Sequence, residues 1–300
     1  MGAAKICRMA QSVGIFSHCA IDTISVDGSE FEQVGGAACY GGLTARRFKM
    51  NVRVATKFGA DFPADEYLEK NKISFEDAAS TKLTTRFAIN VRGSERDLIL
   101  ASLCEPIPYQ DLDTDGIIVS PIFNEIAPDT FDRIKKDTGM ILLDPQGFVR
   151  RQDDAGKISL ARADVCLDGI DILKAGRDEM ESIAGGSDVQ TLKALRDGGV
   201  KHILLTDKAN ISMLTGDRLY SLRLPNKEIH DTTGIGDIFC ATFLCTLLKE
   251  NDVMWAFCFA AGSAQAALDT HAVGLAKIPG RGQTEINASY FYNTFDFRQV

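Results

Sequence analysis

The residues best suited to chemistry lie between Glu228 and Phe239, where the chain reads EIHDTTGIGDIF. Gly234 and Gly236 stand directly before an apolar pattern in which Phe239, Phe243 and Leu247 recur on one helical face. A glycine turn at a helix start leaves backbone N–H groups unpaired, and the helix dipole adds partial positive charge there. Such a turn suits a phosphate and the charge that builds up as a phosphoryl group is transferred. Asp237 falls in the first helical turn, where one carboxylate can take the proton of an incoming hydroxyl. An aspartate that only caps the helix would occupy the same place.

The elements that must carry this turn alternate along the chain. Apolar, β-rich runs at Ser12–Phe16, Arg53–Lys57, Gly116–Ser120, Met140–Asp144, Ala163–Leu167 and His202–Thr206 read as buried strands. Helical patterns at Ala37–Lys49, Pro63–Lys70, Pro128–Lys136, Arg177–Ala184 and Val189–Asp197 lie between them. That order predicts an α/β three-layer sandwich, a mostly parallel central sheet with helices on both faces. Two segments depart from it: Ala20–Phe31 and Thr84–Leu100 read as strands around the turns Asp27-Gly28 and Arg92-Gly93-Ser94. They predict a small β lid, from about 20–34 and 84–102, or two peripheral hairpins that do not move. With no repeat or Pro/Ser linker, residues 1–300 are expected to form one domain carrying that lid.

The string DTTGIGD followed by Ile238-Phe239 resembles the C-terminal signature of the ribokinase family, the phosphofructokinase-B-type carbohydrate kinases. The resemblance implies a ribokinase-like fold and a kinase that uses ATP and Mg²⁺ on a small polyol, sugar or nucleoside. By position, Asp237 would be the catalytic base, and the amides of Gly234, Ile235 and Gly236 the anion hole. Val34-Gly35-Gly36-Ala37-Ala38 is similar to the family's double-glycine motif, placing Gly35 and Gly36 at the substrate. Asp22 resembles the aspartate that accepts from substrate hydroxyls, and Lys57-Phe58-Gly59-Ala60-Asp61 the turn after the second strand. For the nucleotide, the resemblance implies Lys174, Thr206, Asp207 and Thr232, and a pocket near Ala260, Ser263 and Gly274. Glu179 would organise Mg²⁺ through water. Each has a plainer alternative: a turn residue for Asp22, a strand-to-helix turn for Gly35-Gly36, a solvated helix face for Glu179.

The family pattern is broken in places. Tyr40 stands where an asparagine is usual, Gly176 where the N-x-x-E motif begins, and Thr242 where a glycine follows the signature. Thr206-Asp207-Lys208 also lacks the usual G-x-x-G. His18, Asp22, Gly28, the Gly-Gly-Ala-Ala-x-Tyr string at 35–40 and the run from Asp144 to Arg150 look more like the inositol-kinase branch; archaeal-type nucleoside kinases share much of the pattern. There Tyr40, Gln146 and Arg150 would face the substrate, or Arg150 and Arg151 would form a basic surface loop.

Composition excludes other classes. With 45% hydrophobic and 25% charged residues and a net charge of −8, the chain is globular and has no general affinity for nucleic acid or anionic membrane. Its eight cysteines form no C-x-x-C pair, which points to core packing in a reducing compartment. The histidines lack metal-ligand spacing and read as structural. No 18-residue apolar run or signal sequence appears, so a cytoplasmic protein is expected. G-x-G-x-x-G after the first strand and G-x-x-x-x-G-K-[ST] are both absent, against a dinucleotide-dependent oxidoreductase or a P-loop enzyme. A catalytically silent metabolite sensor remains the alternative of another class. A homodimer through the lid follows from its exposed strand edge.

Overall fold

The computed structural model describes residues 11–26, 28–92, 95–137, 139–225 and 231–300. Asp27, the Gly93-Ser94 turn and the stretch from Pro225's neighbour to His230 lie outside them, as does Cys7. In chain order the strands are β1 Ser12–Phe16, β2 Ala20–Val26, β3 Ser29–Gly35, β4 Asn51–Ala55, β5 Ile73–Phe75, β6 Thr85–Arg92, β7 Glu95–Ser102, β8 Gly116–Val119, β9 Met140–Leu143, β10 Arg150–Gln152, β11 Ile158–Leu160, β12 Ile172–Gly176, β13 His202–Asp207, β14 Asn210–Thr215, β15 Arg218–Arg223 and β16 Asp296–Gln299. The helices are α1 Ala37–Arg47, α2 Pro128–Asp137, α3 Gln146–Val149, α4 Arg177–Ala184, α5 Val189–Asp197, α6 Ile235–Glu250, α7 Val253–Asp269 and α8 Arg281–Thr294.

The main sheet runs β16-β15-β14-β13-β12-β9-β8-β1-β4-β5. From β13 to β5 all neighbours are parallel, and β14 to β16 extend the edge antiparallel. Side chains alternate across the sheet, and each face feeds its own core. Ile118, Leu142, Ile172 and Leu204 pack with Phe239, Phe243 and Phe257 of α6 and α7. Their neighbours Ile117, Ile141, Leu173 and Ile203 pack with Phe131, Ile134, Met180 and Leu192 of α2, α4 and α5. Burial on both faces explains why the parallel strands read as continuous apolar runs. The result is a three-layer sandwich with helices on both faces of the sheet.

The two interrupting segments pair into one second sheet, β3-β2-β6-β7, in place of two separate hairpins. Its inner face, Ile24, Phe87, Ile89 and Leu100, packs with Ile122 and Phe123 after β8. His18 ties its base to the main sheet. Nε2–H donates to the Glu105 carbonyl (2.8 Å), and Nδ1 accepts from the Thr85 hydroxyl (2.8 Å). Burial lowers the His18 pKa against the pull of Glu125, so the ring serves as a neutral pin. Asp61 adds a second tie, accepting from Thr84 N and Oγ1 and pairing with Arg86 at 2.9 Å.

The structure differs from the sequence reading at two expected elements and adds three strands at one edge of the main sheet. Ala163–Leu167 is not a strand: Val165 and Leu167 lie half-buried on the second core, and Ala163 N donates to Ser182 O of α4. Alternation there records packing against a helix. The next strand of the sheet is instead β12. Pro63–Lys70 contracts to a short π-helical segment, Asp65–Glu69, closed by Lys70 N on Asp65 O. The β14–β15 hairpin and β16, which widen the sheet, were not singled out.

Candidate active site

The parallel strands β1, β8, β9, β12 and β13 end on the same side as the start of α6, the edge where open α/β sheets place their ligands. Gly234 caps α6 in the left-handed region, φ +72°. The ring of Tyr40 lies so close that a methyl group on Gly234 would collide with it. Glycine is required here both for the backbone turn and for the ring above it. The turn is held from behind by Asp231, which accepts from Thr233 N (2.8 Å) and Gly274 N (3.1 Å) and pairs with the buried Lys277 (2.7 Å). Burial pushes the Asp231 pKa up, but Lys277 and these amides hold it below the usual carboxylate range. Among the described residues no acceptor takes the amides of Gly234 or Gly236, whereas Ile235 N already donates to Thr232 O at 3.3 Å. That bond is a correction to Ile235 as a donor to an anion.

Asp237 follows in the first turn. Its Oδ1 lies 3.4 Å from the Ser120 hydroxyl and 3.5 Å from Gln146 Nε2. Burial, together with the Asp144 carboxylate, pushes its pKa up to about 7 against Lys174, Arg150 and the Ser120 hydroxyl. A carboxyl poised near neutrality can hold and release a proton at ordinary pH. Gln146 is steadied by Arg150, whose Nη2 donates to Gln146 Oε1 (2.9 Å) while Nη1 donates to Ile122 O (2.9 Å).

Two cavities meet at this turn. The first, about 250 Å³, is lined by Asp22, Gly36, Tyr40, Gln146, Arg150 and Asp237, with Phe87, Ile89 and Leu98 of the second sheet over it. Gly35 sits behind its wall, where any side chain would strike the Asp22 carboxylate. The second, about 450 Å³, is lined mainly by apolar side chains: Ala209, Ile211, Leu224, Ile235, Phe239, Ala264 and Leu268. Lys174, Thr232 and Gly236 line both. Thr206 belongs to the second.

Several expected residues stand elsewhere. Ala260 and Ser263 are buried inside the helical layer, Ser263 against the Thr242 hydroxyl (3.1 Å). Ala264, Gln265 and Leu268, farther along α7, face the cavity instead. Asp207 turns away to pair with Arg177 at 2.8 Å, and its neighbours Lys208 and Ala209 reach the cavity. Gly274 serves the Asp231 clamp rather than the cavity wall. Glu179 Oε2 accepts from Gly176 N (2.6 Å), capping α4. Glu179 therefore has a structural task in the place where a solvated face was the alternative.

Residues that sequence reasoning did not place in the site are Ser120, Asp144 and Lys277. Ser120 and Asp144 each follow the last residue of a parallel strand, β8 and β9, a position that could have marked them. Asp144 Oδ2 accepts from Lys174 Nζ at 2.7 Å, both side chains buried. Although burial pulls the Lys174 pKa down, Asp144 raises it overall and keeps the ammonium charged. A methyl on Gly236 would stand 2.9 Å from that ammonium, so a fixed cation flanks the glycine turn.

A buried carboxyl beside a glycine turn at a helix start, with a polar cavity on one side and an apolar one on the other, fits a phosphotransferase acting on an alcohol. Residues 81–279 match the pfkB family of carbohydrate kinases, and the chain belongs to that family. Solved structures share the fold. A pyrophosphate-dependent myo-inositol-1 kinase converted into a myo-inositol-3 kinase superposes with TM-score 0.79 at 22% identity, covering 93% of this chain and 99% of that one. Arabidopsis thaliana ribokinase complexed with ribose and ATP gives TM-score 0.75 at 16% identity over 93% of this chain and 99% of its own. The Methanocaldococcus jannaschii nucleoside kinase gives 0.72 at 15% over 93% and 98%. A comparison with curated protein sequences finds no match. Among the described residues no helix is long and apolar enough to cross a membrane.

Proposed function

We propose that this kinase transfers the terminal phosphoryl group of ATP to a hydroxyl of a small polyol or sugar, with a cyclitol such as an inositol the favoured acceptor. The observation that carries this reading is the meeting of the two cavities at Gly236 and Lys174, beside Asp237. The smaller, polar cavity suits a compact polyhydroxyl ring better than a nucleoside. The larger, apolar cavity suits a nucleobase and ribose, with Thr206 and Thr232 toward the phosphates.

Asp237 would take the hydroxyl proton as the acceptor oxygen bonds to phosphorus, while the bond to the bridging oxygen breaks and ADP leaves with its electron pair. The amides of Gly234 and Gly236 and the Lys174 ammonium would face the charge on the transferring group. Asp22 would accept from acceptor hydroxyls, and Gln146 and Arg150 would orient them. The lid side chains Phe87, Ile89 and Leu98 would exclude water, which competes as a nucleophile.

Mg²⁺, when bound, would supply positive charge that offsets the charge of the phosphates. Among the described residues no cluster of three His, Cys, Asp or Glu side chains could cage a metal. Mg²⁺ ordinarily needs only one or two carboxylates besides phosphates and waters. Glu179 through water is the candidate ligand.

The test is a phosphorylation screen of inositols, pentoses, hexoses and nucleosides, each with ATP and with inorganic pyrophosphate. Turnover of an inositol or sugar with ATP is expected. Turnover with pyrophosphate alone would leave the apolar cavity without a role and overturn the donor assignment. A preference for nucleosides would overturn the acceptor.

A further inference from the structure

Lys277 is buried to the tip of its side chain, yet it lines neither cavity. Its Nζ lies 2.7 Å from Asp231 Oδ2 and donates to the Asp231 carbonyl at 3.1 Å. Both contacts fall on the residue that opens the glycine turn. The same Asp231 carboxylate receives Thr233 N from the turn and Gly274 N from the segment that carries Lys277. The Tyr40 ring lies against Gly234, and Lys277 Nζ stands over that ring, 5.6 Å from its centroid.

Burying an ammonium is costly, and a pair of apolar side chains fills such a space at least as stably. What an apolar pair cannot do is grip a main-chain carbonyl and a carboxylate together. Once the Asp231 carbonyl and side chain are fixed, the peptide units after them have little freedom. Those units carry the Gly234 and Gly236 amides.

We infer that Lys277 is a positioning residue for phosphoryl transfer: its ammonium fixes Asp231 so that the amides of Gly234 and Gly236 meet the transferring group. This rests on the kinase reading above. Lys277 touches neither acceptor nor donor, so its effect falls on the rate and on anion binding, and the acceptor KM stays nearly unchanged.

The test compares wild type with Lys277→Ala for turnover and for calorimetric binding of inorganic pyrophosphate, each with ammonium chloride or with sodium chloride at equal ionic strength. K277A is expected to lose about 100-fold in kcat, the scale of one lost anion-hole donor, and to bind pyrophosphate more weakly. Ammonium, which fits the vacated space, should restore both and leave wild type unaffected. Undiminished turnover in K277A overturns the inference, as does a loss that ammonium does not relieve in a folded protein. Should K277A fail to fold, Lys277→Met combined with Asp231→Asn removes both charges together. A folded, slow double variant supports positioning, and a fast one shows that only charge balance mattered. Wild type that neither binds pyrophosphate nor turns over would refute the kinase reading itself, an outcome separate from these.

Discussion

Lys174 Nζ lies 2.7 Å from Asp144 Oδ2 beneath the first turn of α6, and the pair joins the adjacent strands β9 and β12 to the start of that helix. Asp144 has two electrostatic consequences. It keeps the Lys174 ammonium charged beside Gly236, and it pushes the Asp237 carboxyl upward. One carboxylate thus conditions both a fixed cation and a proton acceptor.

Asp144→Asn should act on both. Loss of the carboxylate leaves a buried ammonium without its counter-charge, a change that costs roughly 3–5 kcal/mol in buried pairs. The Asp237 pKa should fall, because its like-charged neighbour is gone. Expected results are a lowered melting temperature and an acidic limb of kcat/KM displaced to lower pH. An unmoved limb would show that Asp144 does not reach Asp237.

Gly234→Ala tests the turn directly. A left-handed φ costs a non-glycine residue about 1–2 kcal/mol, and the new methyl would strike the Tyr40 ring. The ring or the turn must move, and either displaces the neighbouring amides. Turnover is expected to fall about 100-fold with the far-ultraviolet circular dichroism unchanged. Retained turnover would mean the turn adapts without loss.

The glycine turn at the start of α6 and the strands of the second sheet were legible because each rests on a local pattern: glycines before an apolar helical run, or strands around a polar turn. The pocket wall in α7 was not. Ala260, Ala264 and Leu268 share one face of α7, spaced about one helical turn apart, yet only the last two reach the cavity. Sequence periodicity shows that a helix has a face without showing how far along that face the cavity wall lies. Lys277 bonds a residue 46 positions away, and Ser120 meets Asp237 across 117. Such meetings are products of topology. Ala163–Leu167 makes the complementary point, since alternation against a helix looks the same in sequence as alternation in a sheet.

Ala209→Phe should narrow the apolar cavity from the β13–β14 turn, where Ala209 lines it half-exposed. The acceptor cavity and Asp237 lie elsewhere. A rise of about tenfold in KM for ATP, equivalent to 1.4 kcal/mol, is expected with kcat little changed. An unaltered KM would show that the base and ribose do not use this cavity.

Asp237 links activity and stability through one proton. Its pKa of about 7 predicts an acidic limb of kcat/KM near pH 7, since the base acts only when ionised. The folded value stands above the ordinary 3.8, so the folded protein holds this proton more tightly than the unfolded chain. The stabilising contribution is therefore complete below about pH 4. It is lost as pH rises toward 7, and above that the buried carboxylate weakens the fold by a constant amount. Asp237→Asn removes the titration. The variant should lack turnover, match wild type in stability at pH 4, and exceed it at pH 8 by an amount on the order of a few kcal/mol. Melting temperatures of both proteins at the two pH values check this. A gap that does not widen with pH would mean that the carboxyl is not held in the proton-retaining environment the site provides.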